Sequence, residues 1–288
     1  MTTVIDVSGR LVKMPAEPCD PVGYTLKVGD TRLPLNDLLG RSVRIDFEGV
    51  IRCIHCDRQT SKSFGQGHCF PCFRRLASCD TCIMSPEKCH FDQGTCREPE
   101  WGKTHCMVEH VVYLANSSGL KVGITRGSQV PTRWIDQGAV EAIPMLRVAT
   151  RYLAGLVEVA CKQHVADRTN WRAMLKGDVS AMDLAAERQQ LLAKIAPELI
   201  ALRAEHGEDA LRVSDEQAVG LSYPVQVWPE KVKSHNLDKT PSIAGVLQGI
   251  KGQYLMLDTG VINIRKYTAY QVRLRVDVPA EQAALDLN

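Results

Sequence analysis

Short apolar runs broken by Pro and Gly fill the first fifty residues. Three of them, 9–14, 24–28 and 42–47, read as strands, the last with apolar and polar positions alternating, and together they predict a small β-sheet. The clearest pattern lies further on. Residues 111–115, V-V-Y-L-A, form a β-branched and aromatic run, 116–119 are turn residues, and 120–125 form a second short strand, so a hairpin is expected. Pro131 then suits the first residue of a helix over 132–137, with Gly138 near its stop. A third strand is predicted over 141–150. A helix follows over 151–164, with Leu153, Leu156, Val157, Ala160 and Cys161 on one face and Glu158 beside that stripe.

Beyond residue 176 the period changes twice. Residues 180–206 are rich in Ala, Leu, Glu, Gln and Arg; Ser180 with Asp183 reads as a capping box, and Pro197 should split the helix. Residues 223–228, 242–247, 253–258 and 260–264 then read as strands, with Asp258-Thr259-Gly260 as a hairpin turn and a five-strand barrel-like module as the product. The expected fold is α+β. Its parts are a small β domain (1–52), a cysteine-rich zinc-ribbon-like segment (53–108), a central α/β domain (109–176), a helical spacer (177–220), a C-terminal β module (221–275) and a frayed tail (276–288).

Composition changes this picture little. A chain of 288 residues with 44% hydrophobic content buries one or two real cores, and its formal charge is only +2. The charge is unevenly spread, however: 111–176 and 221–275 carry an excess of Lys and Arg, and 177–220 an excess of Asp and Glu. The two basic segments suit an anionic partner. No long apolar run and no basic, apolar N-terminal leader stands in the sequence, so a soluble cytoplasmic protein without a membrane partner is expected.

The cysteines change it more. Nine of the eleven fall between residues 53 and 106. Cys53 and Cys56, then Cys69 and Cys72, have the two-knuckle spacing of a zinc ribbon, in which each pair sets two thiolates on a tight turn. Cys79, Cys82, Cys89, Cys96 and Cys106 offer a second four-ligand site with one candidate to spare. The shortest loops are closed by Cys79, Cys82, Cys89 and Cys96, with Cys106, His90 or His105 as replacements. One or two structural Zn²⁺ ions are therefore expected, with an iron–sulfur cluster as the rival occupant. Phe64, Phe70 and Phe73 read as a small core on the metal turns.

The order of features around the hairpin resembles the GIY-YIG nuclease domain over residues 109–176. The resemblance implies a phosphodiester-cleaving site made of Tyr113, Gly123, Arg133 and Glu158, with Asn170 as a weaker match and Lys121 available to bind phosphate or lower the tyrosine's pKa. It further implies Mg²⁺ or Mn²⁺ held by Glu158, and DNA or RNA as the partner. The second motif begins Lys121-Val122-Gly123, without its usual tyrosine, as in similar-looking branches of that family. The alternative is a non-catalytic module that binds nucleic acid or protein. The chain as a whole resembles an uncharacterised bacterial family that joins a cysteine-rich segment to this motif. In the C-terminal part, Lys231, Lys233, Lys239, Lys251, Arg265 and Lys266 with Trp228, Tyr254, Tyr267 and Tyr270 make either a nucleic-acid face or a solvated surface over an aromatic core.

Overall fold

The computed structural model describes residues 2–165 and 170–279. The chain divides into two compact units. One runs through Phe73 and resumes from Ser222, with the short piece Leu175–Gly177; the other is Arg74–Met174 with Asp178–Leu221.

In the first unit the strands of both chain ends share one antiparallel sheet. Its order is Thr2–Arg10, Tyr270–Pro279, Ser42–Arg52, Ser242–Lys251, Tyr254–Leu257, Gly260–Asn263, with Gln59–Thr60 paired to Ser42–Arg52. This corrects the expectation of a separate N-terminal sheet and a C-terminal barrel: the strands form an open order with two ends, not a closed barrel. Period-two burial explains the pairing. Val43 and Ile45 on one strand, and Val272, Leu274, Val276 and Val278 on its neighbour, all turn inward. Tyr270–Pro279 is a strand that the sequence reading missed, and it takes in Asp277, assigned there to the tail. The rest of that tail lies outside the described residues. The expected strand 223–228 is absent, leaving only an isolated bridge between Val225 and Gly249. A smaller antiparallel sheet, Ala16–Glu17, Gly23–Val28 and Thr31–Pro34, completes the unit's β structure.

The second unit is built on an antiparallel sheet ordered Leu211–Val213, Glu141–Val148, His110–Asn116, Leu120–Arg126, with Val219–Gly220 also on Glu141–Val148. Every residue of His110–Asn116 is buried, because the strand has a core on each face. Val112 and Leu114 join the core under the helix Arg151–Lys162, whose Leu153, Val157 and Cys161 pack there with Leu191 and Leu199. Val111, Tyr113 and Ala115 join a smaller core around Trp134, Ala139 and Ala142. The long helical segment is split as expected, into Leu184–Lys194 and Ala196–His206. Its cap is Asp183, whose side chain accepts from the Ala186 amide at 2.9 Å; Ser180 instead offers its backbone carbonyl to Asn116. Among the described residues, no helix is long and apolar enough to cross a membrane.

Candidate functional site

Two constellations carry chemistry. The first lies in the first unit, where the end of Ser42–Arg52 delivers Cys53 and the short helix Phe70–Arg75 carries Cys72. The thiols of Cys53, Cys56, Cys69 and Cys72 all lie within 4.8 Å of one another. The Cys56 and Cys69 sulfurs are 3.7 Å apart, close to the ~3.8 Å edge of a tetrahedron of thiolates about 2.3 Å from a zinc ion. Burial works against a charged Cys53 sulfur, yet the amides of Cys69, Cys56 and His55 hold its pKa down to about 6. The set can hold a zinc ion. Phe64 packs against Phe70 and Phe73, with ring centroids 5.4 and 5.8 Å away.

The second constellation is a cleft of about 300 Å³ in the second unit. Lys121 and Gly123 come from the hairpin strand Leu120–Arg126. Arg133 and Gln137 come from the short helix Thr132–Asp136 and its C-cap. Arg151, Glu158 and Lys162 line up along one face of the helix Arg151–Lys162, at spacings of seven and four residues. Ile83, Met84 and Pro86 close the other side. Glu158 lies 3.4 Å from Lys162, with only 14% of its side chain exposed. Arg151 Nη2 donates to the Ile83 carbonyl at 2.7 Å, while its Nε is buried with no hydrogen-bond partner among the described residues. Burial pulls the Arg151 guanidinium below its ordinary value. One carboxylate thus sits among four cationic side chains, an arrangement that favours a bound anion.

Residues 40–272 match a family described as a protein of unknown function, DUF2797. The chain belongs to the DUF2797 family. Neither a curated protein nor a solved structure matches it. The span shared with the DUF2797 family contains the first thiolate set and every residue of the cleft.

Of the residues expected at the site, Lys121, Gly123, Arg133 and Glu158 line the cleft. Tyr113 is fully buried behind Gly123, donating its hydroxyl hydrogen to Gln137 Oε1 at 2.8 Å. Burial pushes its pKa up to about 12, with nearby Arg133 pulling the other way. A tyrosine so held stays protonated near neutral pH, which corrects the expectation that Lys121 lowers its pKa. Asn170 is not among the cleft-lining residues; its Oδ1 accepts from the amides of Arg172 and Ala173 at the start of Trp171–Lys176. Sequence reasoning missed Gln137, Arg151 and Lys162. The i, i+4 spacing of Glu158 and Lys162 was a usable signal for the last.

The basic and aromatic set in the C-terminal strands does not form one face. Lys251 is fully buried, its ammonium 5.1 Å from the Tyr223 ring and 5.3 Å from the Trp228 ring, and burial lowers its pKa to about 8. Tyr267 and Tyr270 are buried too, the latter donating to Asp238 Oδ1 at 2.7 Å. Lys251, Tyr267 and Tyr270 belong to a core, whereas Trp228 is 38% exposed and Lys231, Lys233, Lys239 and Lys266 also meet solvent.

Proposed function

We propose that this DUF2797 member binds a nucleic-acid phosphodiester in the cleft of the second unit and hydrolyses it, on a GIY-YIG-like framework. The observation that carries the reading is Glu158 among Lys121, Arg133, Arg151 and Lys162 around one 300 Å³ cleft. Phosphodiester hydrolysis needs charge stabilisation on the phosphoryl oxygens, and a guanidinium supplies it with paired donors. Arg133 and Arg151 would fill that role from the cleft wall, and Lys121 would add a point charge. A single carboxylate suits Mg²⁺ or Mn²⁺, which keep waters and phosphate oxygens as their other ligands; Glu158 would hold the ion, and its chemistry would be polarisation of the phosphate. Tyr113 acts through Gln137, fixing the amide that faces the cleft.

Three observations favour the non-catalytic alternative. Tyr113 is tied to Gln137, Glu158 lies beside Lys162, and Lys121 stands where the second motif usually has tyrosine. The same cleft would then bind phosphate without turning it over. A labelled panel of single- and double-stranded DNA and RNA, incubated with purified protein and Mg²⁺ or Mn²⁺ against chelator, separates the two. Cleavage that needs the ion and falls at least ~100-fold in Glu158→Ala supports hydrolysis. Undiminished binding with no cleavage supports the binding module.

A further inference from the structure

The segment Arg74–Cys106 has little of its own to hold it together. Its longest helix, Pro99–His105, is seven residues, and Leu76, Ala77 and Cys106 are among its few buried apolar residues. A piece this poor in core needs a staple. Four of its thiols face one small cavity of about 10 Å³: Cys82 from the short helix Thr81–Met84, Cys89 just after the turn Pro86–Lys88, Cys96 from the following loop, and Cys106 at the C-cap of Pro99–His105. Phe91 and Trp101 supply apolar walls. Cys79, favoured by loop length, is not among the cavity-lining residues.

The nearby non-cysteine donors are already engaged. Asp80, Cys82 and His90 bring donor atoms within 4.8 Å of one another. But Asp80 Oδ1 accepts from the Thr81 amide at 2.6 Å, and its Oδ2 pairs with Arg97 Nε at 2.7 Å. His90 Nδ1 bonds Thr95 Oγ1 at 2.7 Å. His105 stacks on Trp101 at 4.2 Å, with Nδ1 on the Trp101 carbonyl. Those groups brace the loops, and the thiols are what remains to bind.

We propose that Cys82, Cys89, Cys96 and Cys106 are the four thiolate ligands of a second metal centre, separate from that of Cys53, Cys56, Cys69 and Cys72, and that this centre builds one wall of the cleft. The ligand chemistry is that of a thiophilic metal, as an iron–sulfur cluster or a single zinc ion. The link to the cleft is direct. The Arg151 amide donates to the Cys106 carbonyl at 2.8 Å. Ile83 lines both cavities and accepts from Arg151. Gly155 admits the turn that carries Cys89, since a Cβ there would stand 2.5 Å from the Glu87 amide nitrogen.

The test is metal and acid-labile sulfide content of the full chain purified without oxygen, for wild type and for Cys56→Ser, Cys79→Ser, Cys89→Ser and Cys96→Ser. Two centres per chain are expected in wild type. Cys89→Ser and Cys96→Ser should each lose the second centre, Cys56→Ser the first, and Cys79→Ser neither; amide exchange at Arg151 should speed up when the second centre is lost. Iron and sulfide in equal amounts would identify a cluster, and a second zinc equivalent a single ion; either sustains the centre. A wild-type chain with metal for one centre only, disulfides among the four cysteines, or a loss in Cys79→Ser matching that in Cys89→Ser would overturn it. The wild-type count decides even where a variant fails to fold.

Discussion

A methyl group at position 123 has no space to occupy. A Cβ there would stand 2.6 Å from the Tyr113 ring and hydroxyl, so the strand can lie over the tyrosine only because the residue is glycine. Gly123→Ala should cost about 1–3 kcal/mol, read as a lower denaturant midpoint. His110 makes a second residue-scale prediction. Its ring is buried with Nδ1 on the Val108 carbonyl at 2.7 Å, and burial lowers its pKa from 6.5 to about 4. The unfolded chain therefore takes up the proton first. The stability this group contributes is complete above pH 6.5 and is lost as pH falls toward 4, by about 3 kcal/mol in all. His110→Phe should flatten the pH dependence of stability in that window; an unchanged slope would show that the ring is not buried neutral. At this scale Gly123 was legible in the sequence through the resemblance, as part of the expected site. Arg151 was not, because which way a residue at a helix start turns is set by the packing of the segment beneath it.

Elements were legible wherever a period was long enough to repeat. The hairpin appears as His110–Asn116 and Leu120–Arg126 in place of 111–115 and 120–125, and the helix as Arg151–Lys162 in place of 151–164. The capping box was misread: Asp183, not Ser180, caps Leu184–Lys194. Asp183→Ala should cost about 1 kcal/mol and Ser180→Ala close to nothing, measured by chemical denaturation; equal losses would contradict the assignment. The strand Tyr270–Pro279 was missed although Tyr270, Val272, Leu274, Val276 and Val278 alternate inward. Its outward Arg273 and Arg275 interrupt the apolar positions, and only the fold supplies their partners, Asp6 and Asp46.

Over the whole molecule, the sequence shows its chemistry more readily than its architecture. The pairing of Thr2–Arg10 with Tyr270–Pro279 joins segments some 270 residues apart in sequence, and no local pattern carries that register. The C-x-x-C pairs of the first thiolate set declared themselves by spacing, whereas Cys106 reaches the second cavity through the turn of a helix end. The proposed function requires that the cleft of the second unit act on phosphodiesters through Arg133 and its neighbours. It is tested most directly by the rate of Mg²⁺-dependent cleavage of a labelled nucleic acid by wild type, Arg133→Ala and Lys239→Ala, the last a basic residue outside the cleft. Wild type and Lys239→Ala should cleave at similar rates, and Arg133→Ala should lose at least ~100-fold. Equal cleavage by all three, or none by folded wild type that retains its metal, would contradict it.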